Sequence, residues 1–295
     1  MITNLSNTEI EFIRDGITQN VRIDGRERFD YRPFTLEVGT ITQANGSARL
    51  SLGETKILVG VKAEIGEPLD NAPNEGVLKV AVECCPTASP YFEGRGAEEL
   101  NIKLSNLMEK MLLSSAHIDL GILCLIPKKQ CWILYIEILV LDCGGNLVDA
   151  ISIATRAALA NTTVPLVKVV EAKKPGEYEF ELDGDIDNNI IIPVENVPIF
   201  VSFNQIGSYL IVDPSLQEEL CLGCRISIGI NKIGNICTID KGNGMIGLET
   251  LPQIMSTAKT LGLKILNLID GYKLKSFQQQ TTCFDTIIED DSLVI

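Results

Sequence analysis

The stretch of this sequence whose residue types best fit a chemical task is ILVLDCGGNLVDAISIATRAALA, residues 138–160. An apolar run ends at Asp142, turns through Gly144 and Gly145, and enters a pattern with helical spacing. Glycines between a strand and a helix can expose backbone N–H groups at the positive end of the helix dipole, and such an arrangement binds phosphate. The same glycines could also make only a tight turn.

The side chains of this loop favour the tight turn. The loop contains no Lys, Arg, Ser or Thr, and its tip is Asn146 followed by Leu147. Asn146 is predicted to cap the helix, with Asp149 in the place of a capping-box carboxylate. A carboxylate in the first turn would take the free donors and repel a phosphate, by about 0.3–1 kcal/mol. We therefore predict a capped turn and a poor phosphate site.

A second candidate is the acidic segment VDPSLQEE, residues 212–219. If this segment continued a strand, Asp213 and Glu219 would share a face, because they are an even number of positions apart. Such a pair could hold Mg²⁺ or act as an acid and a base. The alternative is a solvated strand end, and the spacing alone favours that alternative.

The histidine and cysteine residues of this chain argue against several kinds of catalytic and metal site. His117 is the single histidine, which removes most Ser-His-Asp, Cys-His and histidine-rich metal sites. Cys221 and Cys224 have zinc-knuckle spacing, but they lack a second pair and would point to opposite faces of a strand. We predict no metal and no cofactor, and we interpret the nine cysteines as reduced, buried thiols of a nuclear or cytosolic protein.

Composition and charge restrict the partners of this chain. Its 295 residues can form one large core or two smaller ones. A net charge of −14 argues against a protein that holds nucleic acid alone, because such proteins usually have a basic face. Contact with RNA would need a local patch or an assembly with basic partners. We predict no signal peptide in residues 1–20 and no membrane span, since the longest apolar run is far shorter than about 20 residues.

The first part of the chain reads as a helix, a connector and a strand-rich block. Residues 6–20 have helical apolar spacing, and the connector after them alternates arginines with acids, which predicts a salt-bridged strap. Residues 47–66 read as a hairpin, residues 77–85 as a strand and residues 97–113 as a helix. The nearly continuous apolar run CWILYIEILVL predicts a strand that is covered on both faces.

A polar stretch at 172–189 predicts a boundary, and a second strand-rich block follows it and ends in a helix at about 248–272. The pattern indicates an α+β protein of two successive α/β subdomains, with sheets covered by helices. We predict an N-terminal helix and strap at 1–30, subdomain 1 at 31–171, subdomain 2 at 190–274, and an acidic, disordered tail at 275–295.

Five segments in this order resemble RNase PH-domain proteins, and in particular the RNase PH-like ring subunits of the eukaryotic RNA exosome. They are RIDGR (22–26), GSARLSLGETKILVGVKAE (46–64), FEGRG (92–96), CWILYIEILVLDCGGNLVDAISIA (131–154) and VDPSLQEE (212–219). The resemblance covers about residues 10–272 and implies the RNase PH-like fold, of the ribosomal protein S5 domain 2-like type.

The resemblance also implies partners and a location. These are other RNase PH-like exosome subunits in a six-membered ring, cap subunits that carry RNA-binding domains, and single-stranded RNA in a central channel. The implied role is 3′–5′ RNA processing and degradation, including ribosomal RNA maturation and messenger RNA turnover, in the nucleus, nucleolus and cytoplasm.

The implied active site is incomplete in this chain. Phosphorolytic members place a Thr-Arg pair after the double glycine, where this chain has Asn146 and Leu147, whereas Asp213 and Glu219 survive as remnants of the acidic motif. The resemblance therefore implies a non-catalytic structural subunit. The alternative is a phosphate-dependent 3′–5′ exoribonuclease with a degenerate active site.

The family also implies a place for RNA contacts. Prokaryotic relatives contribute arginines to RNA from the helix that matches 97–113, and here Arg95, Lys103 and Lys110 are the cations in that region. We expect these three residues to contact RNA. The alternative is that they are solvated charges on the flank of a helix.

Overall fold

The computed structural model describes residues 5–113, 118–171, 178–182, 189–276 and 282–283, which form two main β-sheets around a buried helix. His117 and most of the predicted tail lie outside these residues. The strands are β1 (Phe34–Val38), β2 (Gly46–Leu52), β3 (Thr55–Gly66), β4 (Val77–Cys84), β5 (Cys124–Ile126), β6 (Gln130–Asp142), β7 (Thr163–Val164), β8 (Val167–Glu171), β9 (Tyr178–Leu182), β10 (Ile190–Ile191), β11 (Ile199–Ile206), β12 (Tyr209–Val212), β13 (Cys224–Ile230), β14 (Ile236–Lys241) and β15 (Thr282–Cys283).

Five α-helices accompany these strands in the described residues. They are α1 (Asn7–Thr18), α2 (Glu98–Leu113), α3 (Leu147–Ala160), α4 (Leu216–Glu219) and α5 (Leu251–Ser276), and 3₁₀ turns occur at Pro90–Phe92, Leu120–Leu123 and Leu248–Thr250. The predicted helices at 6–20, 97–113 and 248–272 are confirmed, with ends that differ by a few residues. None of the helices described here has both the length and the apolar character needed to cross a membrane.

The first sheet is the larger one, with the order β15-β1-β2-β3-β6-β4 and with β5 beside β6. The predicted hairpin is confirmed: β2 and β3 are antiparallel, and Leu52 pairs with Thr55 across the turn. Strand β4 runs parallel to β6, whereas β3 is antiparallel to it. Helix α2 packs on β4, and α3 packs on β2 and β3, so that both helices cover this sheet.

Strand β6 differs from its prediction, because only one of its faces is fully buried. Leu134, Ile136 and Ile138 point into the core, whereas Glu137 between them is exposed and Tyr135 is half-buried. The apolar run was therefore wrongly interpreted as a strand covered on both faces. Its outer residues keep partial cover from neighbouring strands of the sheet.

The second sheet has the order β12-β11-β13-β14 and carries a separate apolar core. Alternate residues of β11 and β13, such as Val201 and Ile228, pack against Ile254, Ala258 and Leu261 of α5. The predicted strand patterns of this block and the buried stripe of its last helix are confirmed. Each of the two sheets therefore buries apolar side chains under a helix, as an α+β layer arrangement requires.

Helix α3 joins the two sheets and is buried on all sides from Leu147 to Leu159. Its predicted apolar face, which includes Ile151 and Ala154, packs on the first sheet. The opposite face carries polar residues at helical spacing, Asp149, Ser152 and Arg156, and none of these is more than 1% exposed. Buried polar groups need partners, so this face must be bonded to the second sheet.

Asp149 and Ser152 of this polar face bind backbone groups at an edge of the second sheet, whereas Arg156 donates to the carbonyl oxygens of Val194 and Val197. Strand β12 pairs with β11 only from Phe203 to Ile206, so it does not reach the earlier part of β11. There the Phe200 N–H donates to Ser152 Oγ (2.9 Å), and the Ser202 N–H donates to Asp149 Oδ2 (3.0 Å). The helix thus satisfies donors that a further strand would otherwise satisfy.

The predicted boundary and tail are only partly described. The stretch 172–189 contains β9, and its remaining residues up to 188 lie outside the described part. In the region predicted as a disordered tail, α5 continues to Ser276 and β15 pairs with β1.

Candidate functional site

The turn between β6 and α3 is built by close backbone packing. Gly145 has φ +97°, and a Cβ on it would lie 2.6 Å from the carbonyl oxygen of Pro214. A Cβ on Gly144 would lie 2.7 Å from Cβ of Glu54. Both glycines are therefore required by protein segments that press on the turn, and the double glycine does not need a phosphate to explain it.

Polar groups of this turn are bonded to the protein itself. The Gly144 N–H donates to Thr55 Oγ1 (3.2 Å), and the Asn146 N–H donates to Glu219 Oε1 (3.0 Å). Arg32 donates to the carbonyl oxygens of Gly144 (2.9 Å) and Gly145 (3.1 Å). Two backbone donors of the turn, the Gly144 and Asn146 N–H groups, are thus occupied by protein side chains, which agrees with the predicted tight turn.

Asn146 does not cap α3, contrary to prediction. Its backbone is left-handed, with φ 54° and ψ 50°, and its side chain makes no capping bond. The Asn146 amide instead donates to Asp149 Oδ2 (3.0 Å) and Asp213 Oδ1 (2.9 Å). Two buried carboxylates are stronger acceptors, and they draw the amide away from the helix terminus. Leu147 is only 8% exposed and belongs to the main core, so neither residue is available to a ligand.

The sequence predicted that the Asp149 carboxylate would accept hydrogen bonds from the N–H groups at the start of α3, but it has other partners. The carboxylate accepts hydrogen bonds from the Asn146 amide (3.0 Å), the Tyr31 hydroxyl (2.8 Å) and the Ser202 hydroxyl (2.6 Å). Complete burial raises the pKa of Asp149 to about 6, although hydrogen bonds from Ser202, Asn146 and Tyr31 oppose this shift. Asp149 therefore connects α3 to Tyr31 and to Ser202 of the second sheet.

Asp213 is the most heavily bonded acid of this region. It follows β12 in a left-handed conformation (φ 45°), so it is not part of a strand pleat as the spacing argument assumed. Its carboxylate accepts from the Arg32 backbone N–H (2.8 Å), Nε (2.9 Å) and Nη2 (2.8 Å), from Arg26 Nη1 (3.0 Å), and from Asn146. Burial would raise the pKa of Asp213, but the hydrogen bonds and charges of Arg32 and Arg26 hold it below its ordinary value.

Glu219 reaches the same turn from the short helix α4. This helix begins at a capping box formed by Ser215 and Glu218, so a helix replaces the predicted strand end. Burial raises the pKa of Glu219, and the hydrogen bond from the Asn146 N–H partly offsets that effect. Asp213 and Glu219 converge on Asn146, where the spacing favoured a solvated strand end, and a turn and a helix bring them there. Because Asp213 is already saturated with donors, this pair is not an open metal site.

The arginine strap supplies the cations of this cluster. Arg22 forms a buried ion pair with Glu218 and also donates to the Asp213 carbonyl oxygen (2.8 Å). Arg26 binds both Asp24 and Asp213. The predicted salt-bridged strap is confirmed, but its partners are mainly residues 212–218 and not the strap's own acids. The excess of arginines over acids in the strap was the available signal for these distant partners.

The three predicted RNA contacts lie on an exposed surface. Lys103 and Lys110 are exposed and two turns apart on α2, and Arg95 precedes this helix with its side chain 91% exposed. Arg95 Nε lies 3.7 Å from Glu98 Oε1, which is a loose surface pair. The structure does not bring these residues into the hydrogen-bond cluster around Asp213. Their predicted role in binding RNA stays a prediction.

Metal chemistry finds no support in the described residues. No group of three or more His, Cys, Asp or Glu in them could hold a metal ion. Cys221 and Cys224 are buried free thiols, and Cys84, Cys85, Cys124, Cys131, Cys143 and Cys237 are free as well. Sequence reasoning missed Tyr31, Thr55 and Ser202, which come from three separate elements; a serine inside the apolar run IFVSFNQI was the one available hint.

Comparison with known proteins places this geometry in a family. The family model of the 3′ exoribonuclease family matches residues 30–165 with domain 1 and residues 196–260 with domain 2. The chain is 39% identical to an RRP42 protein of Dictyostelium discoideum, over 90% of this chain and 97% of that protein. It is 38% identical to the exosome complex component Rrp42 of Pyrococcus furiosus, over 87% of this chain and 91% of that protein.

Solved structures give the same result. The chain superposes with a TM-score of 0.77 and 29% identity on a chain of the Archaeoglobus fulgidus exosome with RNA bound to the active site, over 88% of this chain and 97% of that one. A chain of an archaeal exosome core matches with a TM-score of 0.74 and 27% identity, over 90% and 97%. The predicted resemblance is confirmed: the chain belongs to the 3′ exoribonuclease family with RNase PH domains, alongside the Rrp42 exosome components.

Proposed function

We propose that this chain is a non-catalytic structural subunit of the exosome core ring that supports 3′–5′ processing and degradation of RNA. The observation that carries the proposal is the turn between β6 and α3, whose polar groups are bonded to Thr55, Arg32 and Glu219. The names of the relatives and the similarity to archaeal exosome chains support the ring. Ribosomal RNA maturation and messenger RNA turnover are the processes we assign to it.

Phosphorolysis needs a bound phosphate as the attacking group, and this chain offers no suitable place at the turn. An anion there would have to displace Glu219 from the Asn146 N–H and disrupt the donors around Asp213. The Thr-Arg pair of phosphorolytic relatives would require Arg at position 147, where Leu147 is packed in the core. The degenerate exoribonuclease is therefore the weaker candidate, and no feature of the described residues favours it.

The proposed partners are other RNase PH-like subunits in a six-membered ring and cap subunits with RNA-binding domains. With a net charge of −14, this chain depends on basic neighbours to hold single-stranded RNA in the channel. We propose that Arg95, Lys103 and Lys110 add local contacts to that RNA. We also propose the domain limits 1–30, 31–171, 190–274 and 275–295, and a location in the nucleus, nucleolus and cytoplasm.

Reconstitution tests this proposal. The cognate ring subunits are coexpressed with and without this chain, and ring formation is followed by native mass spectrometry. We expect the ring to require the chain. In the assembled ring, Glu219→Gln keeps an acceptor for the Asn146 N–H, so we expect unchanged 3′–5′ degradation. A loss of about 100-fold or more would be the signature of an acid or base in catalysis and would contradict the proposal.

A further inference from the structure

Two adjoining cavities form a groove beside the strap. One cavity, of about 530 Å³, lies along α1, and the other, of about 520 Å³, reaches the turn at Gly144. Ile23 and Glu218 line both of them, so the two cavities are adjacent. We refer to this feature as the strap groove.

The walls of the strap groove expose apolar side chains. Phe12 is 70% exposed, Val21 is 57% exposed and Ile23 is 53% exposed, and all three line the α1 cavity. The floor between them is Ile13 and Ile17, which are buried against the second sheet. Exposed apolar residues that share one concavity, and are not scattered singly, mark an interaction surface.

The charges of the strap groove are unbalanced at its rim. Asp15, Asp24 and Glu54 line the groove and are exposed. Asp24 is paired with Arg26, whereas the arginines of the groove do not offset Asp15 and Glu54, because Arg22 is paired with Glu218, and Arg26 and Arg32 are bound to Asp213. The rim is therefore complementary to positive charge, which excludes an RNA backbone as the occupant.

We propose that the strap groove binds a segment of another protein subunit, which inserts apolar side chains between Phe12, Val21 and Ile23 and carries lysine or arginine beside them. The inference rests on the proposed function, because it assigns one subunit contact of the complex to a defined surface. Apolar anchors supply the affinity, and the acidic rim fixes orientation and excludes acidic competitors.

The strap groove also connects this contact to the buried cluster. Glu218 forms part of the groove, and its ion pair with Arg22 lies next to the Asp213 carbonyl oxygen that Arg22 also binds. This ion pair is already buried in the free chain, and a segment in the groove packs over the residues that hold it. Binding therefore stabilises the same strap that positions Arg32 and Asp213, and the bound subunit should protect the strap amides from hydrogen exchange.

The first experiment replaces Val21 with a photocrosslinking phenylalanine analogue in the coexpressed complex. The expected adduct joins this chain to another subunit, at a segment that contains apolar residues and at least one Lys or Arg. An adduct with RNA, with a second copy of this chain, or with an acidic segment would overturn the proposal. So would a fully assembled complex that gives no adduct.

The second experiment measures affinity for that complex with the double variant Phe12→Glu and Ile23→Glu. We expect binding to weaken by about tenfold or more, which is the loss typical of a hot spot. The matched control is Leu69→Glu with Asn71→Glu, which adds the same charge at exposed residues outside the groove. Unchanged thermal unfolding of both variants shows that the fold is intact, and equal affinities would refute the groove.

The third experiment tests charge at the rim. Asp15→Lys with Glu54→Lys should weaken binding and reduce its dependence on salt, whereas Glu67→Lys with Asp70→Lys, outside the groove, should not. If the unaltered chain joins no exosome subunit, the proposed function fails, and the groove proposal fails with it. If the chain assembles and the groove variants assemble equally well, only the groove proposal fails.

Discussion

Charged residues occur in two regions of this molecule with opposite surroundings. Around Asp213, acids and arginines are buried and joined by several short hydrogen bonds. At α2 and just before it, Lys103, Lys110 and Arg95 are exposed to solvent. The ion pair between Arg95 Nε and Glu98 Oε1 spans 3.7 Å. The two regions contain similar residue types, so their environment decides what those residues can do.

The charged residues of these two regions fall into two classes: those that hold the fold together and those that are free to bind a ligand. A buried carboxylate with five donors cannot exchange them for a ligand without leaving arginines unpaired, which is energetically expensive. An exposed lysine loses little free energy when its ammonium group exchanges water for an RNA phosphate. It contributes to RNA binding because counterions are released from the nucleic acid. In this chain the remnant of the acidic motif belongs to the first class, and the α2 flank belongs to the second.

The largest expected effect comes from Asp213→Asn. The variant leaves Arg32 and Arg26 buried without their carboxylate, so we expect the free energy of unfolding to fall by about 3–5 kcal/mol. Urea denaturation measures this loss. The control is Asp142→Asn, since Asp142 pairs with Lys56 at a half-exposed site and should contribute about 1 kcal/mol or less. Similar losses of unfolding free energy in both variants would contradict the separation into buried structural charges and exposed available charges.

Gly145→Ala tests the packing of the turn. Gly145 and Gly25 both have positive φ, +97° and +84°, but only Gly145 lacks space for a Cβ. We expect Gly25→Ala to cost about 1–2 kcal/mol from backbone strain alone. Gly145→Ala should cost more, because Pro214 must also shift. Equal melting temperatures for the two variants would show that the turn is looser than this structure indicates.

The pH dependence of stability tests the buried position of Asp149. Its pKa is about 6 in the folded protein and about 4 when unfolded, so the folded state binds more protons between these values. The contribution of Asp149 to the free energy of unfolding therefore falls as pH rises from about 4 to about 6. Glu219, whose pKa is also raised, acts in the same direction.

Asp149→Asn removes the titration of Asp149 and keeps the shape of its side chain. We expect the free energy of unfolding of this variant to fall less than that of the unaltered chain over the same pH interval, as measured by urea titrations at a series of pH values. Parallel profiles would mean that Asp149 ionises at its ordinary pKa.

The smallest effect on stability is expected from the α2 flank. Arg95→Glu, Lys103→Glu and Lys110→Glu together should change the free energy of unfolding by about 0.5 kcal/mol or less per site, because all three are exposed. RNA affinity of the assembled ring should decrease, with a shallower salt dependence. The control reverses three other exposed lysines, Lys79, Lys128 and Lys259. An equal effect of both sets would leave only net charge as the explanation.

Local patterns predicted the elements of this fold, because periodicity and turn residues act over short stretches. The hairpin of β2 and β3 and the apolar stripe of α5 followed from alternation and helical spacing. Strand β6 was misinterpreted, since an apolar run does not show which face a helix will cover. The double role of α3 was also invisible, because its polar face resembles a solvated one until the second sheet is placed beside it.

At the candidate site, the absence of a phosphate site stays a prediction, and the sequence did not reveal the contacts that build the turn. The absence of a cation or hydroxyl after Gly145 indicated a poor phosphate site, and residue types alone were sufficient for that. The bonds that occupy the turn come from Thr55, Arg32 and Glu219, which are far apart in the chain. Asn146 was assigned as a cap from local preference, and two acids brought in by tertiary structure outweighed that preference.

Phosphorolysis by the isolated chain tests the central claim most directly. The purified chain is incubated with single-stranded RNA, Mg²⁺ and inorganic phosphate, and nucleoside diphosphates are measured. The proposed function predicts no diphosphate above the level of a reaction without protein, because the Gly144 and Asn146 N–H groups are bonded to Thr55 and Glu219. Diphosphate production that is lost in Glu219→Gln, a variant that keeps the fold, would contradict it and would show that phosphate binds by another route.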